Sequence, residues 1–381
     1  MDHAAPRRMP EVAIDGAPIP YVDLAAQFAA EREQLGPAIL DALAEAQWIG
    51  GAAIERFEQQ VCAYTGAAHT IAVASGTDAL VLSLRAMGIG PGDEVITPPN
   101  SFVASTAAIT MVGATPVFAD VLPDQNIDPD AVVRAIGSRT RAIMPVHLTG
   151  RVAAMDAIMR IAAERGLRII EDAAQAFGSR LGGRHAGRMG DVGCFSAHPL
   201  KNLNAMGDAG FIVTDDDQLA TRLRRLRNNG LVDRNTVAEW GTVSRLDTVQ
   251  AVVLAHRLAH IDEVIAARRR NAARYRALLD GSRVFSPPCE PAQFNSFHTF
   301  VVQVDRRDAL QQFLASRGIG SSIHYPVPIH LQPAARALGH RVGDFPVAES
   351  QASRILSLPI HQFLRDAELE RVAATIAEFH R

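Results

Sequence analysis

The chain has 381 residues and a formal net charge of -3, with 48% hydrophobic and 21% charged residues. That balance describes an ordinary water-soluble globular protein with room for two cores. It excludes nucleic-acid binders that rely on a basic surface, and no apolar run approaches the roughly 20 residues that span a bilayer.

The opening stretch MDHAAPRRMPEVAIDGAPIP lacks the apolar centre of a secretory signal and reads as a loose N-terminal arm over residues 1–20. Cys62, Cys194 and Cys289 are odd in number and far apart. They fit neither a disulfide framework nor a cysteine-based metal site, so a reducing cytoplasm and no metal are expected.

From about Trp48 to Asp215 short apolar runs alternate with amphipathic segments. HTIAVAS, DEVITPP, TPVFADV, RAIMPVHL and LRIIED read as strands, with helical periodicity in GTDALVLSLRAMG, SFVASTAAITMVG, DPDAVVRAIG and MDAIMRIAAERG between them. GCFSAH and AGFIVTD add two shorter strands. This alternation, with Gly and Pro at the joints, predicts an α/β domain built on a mostly parallel sheet covered on both faces. Beyond it, DQLATRLRRLRNNG is a helix closed by Gly230, and the segment from Leu246 to Gly281 reads as one long helix. A strand HTFVVQV and helices RDALQQFLASRG and DAELERVAATIAEFH complete a small α+β unit. The expected organisation is an arm over 1–20, a large α/β domain over 21–245, and a connecting helix with a small domain over 246–381. A ligand site is expected at the carboxyl ends of the strands.

Among the 38 Lys plus Arg residues, only Lys201 is a lysine. A compositional bias toward arginine leaves lysine where a guanidinium cannot serve. Lysine can lose its proton and attack a carbonyl, whereas arginine is effectively always protonated. Upstream, Glu171 and Asp172 end a very apolar strand, where a carboxylate needs a cation or strong donors. Asp172 either caps a following helix or pairs with the protonated ring nitrogen of a pyridine cofactor; Gln175 lies one turn on, within reach of a ring hydroxyl. Gly76 and Thr77 join a strand to a helix start, which suits a phosphate or simply a helix cap. Ser196 offers a second hydroxyl at a strand end. Phe102 after TPPNS is either core or a ring-stacking face. Together these are the parts of a pyridoxal phosphate site.

The stretches EDAAQAFGS and GDVGCFSAHPLKNLNAMGDAGFIVTDD resemble the DegT/StrS-type sugar aminotransferases, of the fold-type I pyridoxal phosphate class. The resemblance runs from Tyr21 (YVDLAAQF) through LSLPIHQFL near the C-terminus. It implies a fold-type I architecture, with the lysine of S-x-x-x-x-K-N, here Lys201, holding the cofactor covalently. It further implies Ser196, Gly76 and Thr77 at the phosphate, Asp172 at the ring nitrogen, Gln175 at the ring hydroxyl and Phe102 stacked on the ring. GIGSSIHYPVPIHLQPA is similar to a stretch of the enzymes that aminate nucleotide-linked 3-keto sugars such as dTDP-3-keto-6-deoxyhexoses. GTVSRLDTVQAVVL is similar to a segment that reaches the active site across a dimer interface. On that resemblance His324, Tyr325, His330 and Arg245 are the candidate sugar or phosphate contacts. It also implies glutamate as amino donor, a homodimer with shared sites, and neither a nucleic-acid nor a membrane partner. The sequence departs from the family pattern at Val243, Ala197, Asn204 and Ala209, changes expected to alter the pocket wall. A UDP-linked 3-keto hexuronate or a keto-inositol is the alternative substrate. A cofactor-binding regulator without turnover is the alternative outside the enzymes.

Overall fold

The computed structural model describes residues 16–381, so most of the arm expected over 1–20 lies outside the described residues. The described end of it is not loose. Ile19 is 1% exposed, pairs with Ile319 and joins the apolar core of the C-terminal unit.

The strands in chain order are β1 (His69–Val73), β2 (Glu94–Thr97), β3 (Thr115–Phe118), β4 (Thr140–Ile143), β5 (Arg168–Asp172), β6 (Arg180–Leu181), β7 (Arg184–His185), β8 (Val192–Ser196), β9 (Gly210–Thr214), β10 (Gln293–Phe294), β11 (Phe300–Gln303) and β12 (Ile355–Leu358). Seven of them form the main sheet in the order β1-β9-β8-β5-β4-β2-β3. Only β9 runs against its neighbours, so the other six present their carboxyl ends along one edge. The strands are short and apolar because both faces are covered, which removes the polar alternation of a half-exposed sheet. Ile71, Val73, Ile170, Val192 and Ile212 face the helices Gly76–Ala86, Ala104–Met111 and Asp217–Leu226. Ala72, Phe195, Phe211 and Val213 face the helices Ala52–Thr65 and Thr248–Ala259, and Ile96, Ile143 and Ile169 pack on Pro129–Ala135 and Met155–Arg165.

The single long helix expected over Leu246–Gly281 is two helices, Thr248–Ala259 and Ile261–Leu278, broken at His260. The periodicity continues across the break in LAHIDEVI, and so gives no warning of it. His260 leaves helical geometry, while Asp262 and Glu263 fall in the first turn of the second helix, where negative charge meets the positive end of its dipole. The first helix stays on the large sheet. The second carries Ala272 and Tyr275 into a separate core with Phe300, Leu310, Leu356 and Leu369, between the β11–β12 pair and the helices Arg307–Ser316 and Asp366–Phe379. Among the described residues no helix is long and apolar enough to cross a membrane.

Candidate active site

A cavity of about 350 Å³ lies along the carboxyl edge of the main sheet. Gly76, Thr77, Phe102, Asp172, Gln175, Ser196, Lys201, His324 and Tyr325 all line it. The sheet's directionality brings them together: β1 delivers Gly76 and Thr77, β5 Asp172, β8 Ser196, and β2 the turn to Phe102. The loop from β8 to β9 carries Lys201.

The β1 turn fits tightly against the end of β8. Ser75 caps the helix Gly76–Ala86 by accepting the Asp78 N–H at 3.0 Å. A Cβ at Gly76 would lie 2.6 Å from the Ser196 Cβ, and one at Gly210 would lie 2.4 Å from the Ser75 carbonyl carbon and oxygen. Two glycines therefore let the turn and the strand ends close into one small cradle, with the first backbone N–H groups of a helix at its rim.

Asp172 is buried, and its two oxygens are engaged separately: Oδ2 accepts the Ser105 hydroxyl at 2.6 Å and Oδ1 accepts the Ala174 N–H at 3.2 Å. No helix follows directly, so its capping role is confined to this one turn. Burial pushes its carboxyl above the ordinary range, against the opposing pull of Ser105, Ala174 and the charges of Lys201 and His147. Lys201 moves the other way. Burial lowers its amine to about 8, with the Asp172 charge holding it partly up. Gln175 is oriented without ambiguity, because its Oε1 accepts the Thr149 N–H at 2.8 Å and its Nε2 donates to the Tyr325 hydroxyl at 3.4 Å. Phe102 is half exposed toward the cavity, its ring 5.7 Å from that of Tyr325.

His324 stacks on Tyr21 at 5.8 Å and shares a 2.8 Å hydrogen bond with Ser357 through Nδ1. Burial and the charge of Lys201 lower its imidazole to about 4, so it is neutral at physiological pH. The structure places two of the sequence-derived candidates elsewhere. His330 does not line the cavity; it is 2% exposed, pairs with Glu349 at 3.1 Å and packs edge-on against Phe345. Arg245 is also outside the lining and donates to Asn228 at 3.3 Å. Nor do the departures from the family pattern form the cavity wall. Ala197 and Ala209 are core residues, Asn204 is tied to Gln27 and to the Pro199 carbonyl, and Val243 is 58% exposed.

Glu171, next to Asp172, points to the opposite face of its strand. Its carboxylate meets His147 at 2.7 Å and accepts the N–H groups of Gly187, Met189 and Gly190. Burial opposes its charge, but the His147 contact and those N–H groups outweigh it and hold the carboxyl below its usual range. Glu171 thus fixes the loop before β8, while Asp172 faces the cavity. Sequence reasoning did not single out Tyr21, Ser105, Arg268, His298, Thr299 or His361. All but Ser105 line the cavity, and they sit on segments distant in sequence where local patterning carries no signal.

Fold and cavity together define an α/β enzyme whose one lysine faces a buried carboxyl beside a phosphate-type turn. The chain belongs to the DegT/DnrJ/EryC1/StrS aminotransferase family, whose model matches residues 30–377. It is 43% identical to the dTDP-3-amino-3,4,6-trideoxy-alpha-D-glucose transaminase of Streptomyces venezuelae, over 95% of this chain and 96% of that protein. It is also 43% identical to the UDP-N-acetyl-3-dehydro-alpha-D-glucosamine 3-aminotransferase of Acidithiobacillus ferrooxidans, over 94% and 97%. The crystal structure of S. venezuelae DesV in complex with a ketimine intermediate superposes with a TM-score of 0.93 at 43% identity, covering 96% of this chain and 99% of that one. Spr1654 of Streptococcus pneumoniae, in a PLP form, superposes with a TM-score of 0.85 at 27% identity over 90% of this chain and 95% of that one.

Proposed function

We propose that this chain is a pyridoxal phosphate-dependent aminotransferase that moves an amino group from L-glutamate to a nucleotide-linked 3-keto sugar, a dTDP-3-keto-6-deoxyhexose first among them. The observation that carries the reading is the meeting of Lys201, Asp172 and the Gly76–Ser196 cradle in one cavity. The residues present suit that cofactor. The cradle, too tight for a Cβ at residue 76, leaves the Gly76 and Thr77 N–H groups and the Thr77 and Ser196 hydroxyls for a phosphate. Asp172, buried and pushed upward, is short of one cationic donor, which a protonated ring nitrogen supplies. When bound, pyridoxal phosphate contributes an aldehyde that an amine can capture and a ring that withdraws electrons from a substrate carbon.

The chain's own residues then divide the work. Lys201, with its amine lowered to about 8, has a neutral fraction available to take the proton from the donor's α-carbon and to deliver one to the sugar carbon. Asp172 would hold a proton at the ring nitrogen, and Ser105 holds Asp172. When the cofactor is bound, Gln175 would be the residue to hold the ring hydroxyl and Phe102 the one to pack on the ring. His324 and Tyr325 lie where a sugar approaches. Arg245 acts from a neighbouring subunit of a homodimer, a placement supported by the exposed Trp240 and Val243 beside its segment. A UDP-linked 3-keto sugar is the second reading, favoured by the equal identity to the UDP-sugar enzyme.

The test has two parts. Pyridoxal phosphate should give the protein a visible absorption band that bleaches with glutamate, and Lys201→Arg should fold but show neither. A panel of dTDP- and UDP-linked keto sugars, scored for amine formation, then assigns the acceptor. A colourless protein, or one whose band ignores every amino donor, would sink the reading.

A further inference from the structure

Arg268, on the helix Ile261–Leu278, is a cation that nothing in the proposed chemistry uses. It lines the same cavity as Lys201 and is only 6% exposed. Its hydrogen bonds to described residues run through Nη1 alone, to the carbonyls of Phe297 at 3.2 Å and His298 at 3.1 Å. Its Nε is buried without a partner. A guanidinium has five donors in a rigid fork, and burying one without an anion is costly. The cost registers here: burial lowers Arg268 to about 10, and its one electrostatic counterweight among the described residues is the Tyr21 phenol. That phenol is itself pushed up to about 12 by burial, so it carries no negative charge at neutral pH.

The rest of the cavity does not supply the missing anion. The carboxylates in its lining are Asp172, engaged by Ser105 and Ala174, and Asp208, neither of which pairs with Arg268 among the described salt bridges. His298, His324 and His361 surround the same space and are all held toward their neutral forms by burial. The site thus holds these three histidines toward their neutral forms while retaining a single buried guanidinium near its lysine. A planar fork of this kind matches a carboxylate bidentately, in a way that an ammonium or an imidazole does not.

We propose that Arg268 is the carboxylate-binding residue of this cavity, pairing with a substrate carboxylate while Nη1 stays tied to the 297–298 backbone. The inference rests on the aminotransferase reading and deepens it by naming a substrate group. The amino donor and a sugar acid both carry that group, and the experiment separates them.

The experiment is calorimetric titration of the pyridoxal phosphate-loaded protein and of its Arg268→Gln variant. The probes are glutarate against neutral glutaramide, and UDP-glucuronate against UDP-glucose. Loss of a charge-assisted pair should weaken the relevant carboxylate about 10- to 100-fold and leave its neutral counterpart unchanged. Selective loss of glutarate assigns the amino donor; selective loss of UDP-glucuronate assigns a sugar acid. If neither carboxylate is favoured by the wild type, or if Arg268→Gln binds both as the wild type does, the proposal is overturned and Arg268 merely ties down the 297–298 backbone. Should Arg268→Gln fail to fold, Arg268→Lys decides: it keeps a cation and a donor but loses the fork, so carboxylate affinity should drop roughly tenfold at unchanged Tm. Unchanged affinity in that variant also overturns the proposal. The result is independent of sugar amination, since a protein that binds glutarate through Arg268 yet aminates no sugar refutes the proposed function alone.

Discussion

The Ser105 hydroxyl donates to Asp172 Oδ2 at 2.6 Å, both groups buried, with Asp172 in the cavity lining and Ser105 behind it. This bond is one of the few forces that favour a charged Asp172 against its burial. Ser105→Ala therefore raises the carboxyl further and weakens its hold on a cationic ring nitrogen. We expect pyridoxal phosphate affinity, measured by absorption titration, to fall about tenfold, the worth of one hydrogen bond to a charged group. An unchanged affinity would show that Asp172 does not depend on Ser105.

Gly76 tests the cradle by shape alone. A Cβ there meets the Ser196 Cβ at 2.6 Å and its Cα at 3.0 Å, and backbone cannot swing aside as a flexible side-chain end can. Gly76→Ala should cost roughly 1–3 kcal/mol in chemical denaturation, the usual range for overpacking. It should also weaken inorganic phosphate and cofactor binding together, because the displaced strand end carries Ser196. Normal stability with lost cofactor binding would point instead to the added methyl entering the space that the phosphate needs.

These two pairs show where the sequence is readable. The seven strands of the sheet are legible because burial on both faces leaves nearly continuous apolar runs, and their shared direction places Gly76, Asp172, Ser196 and Lys201 on one edge. The two-residue strands β6, β7 and β10 are too short to carry a period. The break at His260 is hidden because helical spacing continues through it. Arg268 is hidden for a related reason. It stands in an arginine run of an amphipathic helix, and only tertiary packing decides which arginine turns inward. His330 shows the converse, since its motif lies within a stretch that reaches the cavity at His324 and Tyr325, yet its own side chain turns into a satellite core.

His330 and His324 should accordingly separate in experiment. His330→Gln disturbs the contact to Glu349 and the packing on Phe345, and should lower stability by about 1–3 kcal/mol. The KM for the keto sugar should stay within about threefold, since uniform binding is lost only where contact exists. His324→Gln should do the reverse, raising KM with little change in Tm. A raised sugar KM in the His330 variant would place that residue at the acceptor after all.

The acid–base behaviour of Lys201 supplies the last prediction. Its amine is lowered from 10.5 to about 8 by burial, with Asp172 pulling it back upward. Between those two values the unfolded chain binds more protons at this residue than the folded one. Stability therefore rises with pH across that window as the penalty for burying a charged amine is relieved, and below about 8 the penalty is fully present. The same shift governs reactivity, because only the neutral amine attacks an aldehyde. Stopped-flow capture of pyridoxal phosphate by the cofactor-free protein should accelerate as pH rises through about 8 and then level off. In Asp172→Asn the carboxylate no longer supports the ammonium form, so the midpoint should move to lower pH. A midpoint near 10.5 in the wild type would mean that the lysine is solvated rather than buried, and would remove the physical basis for its role as the proton carrier.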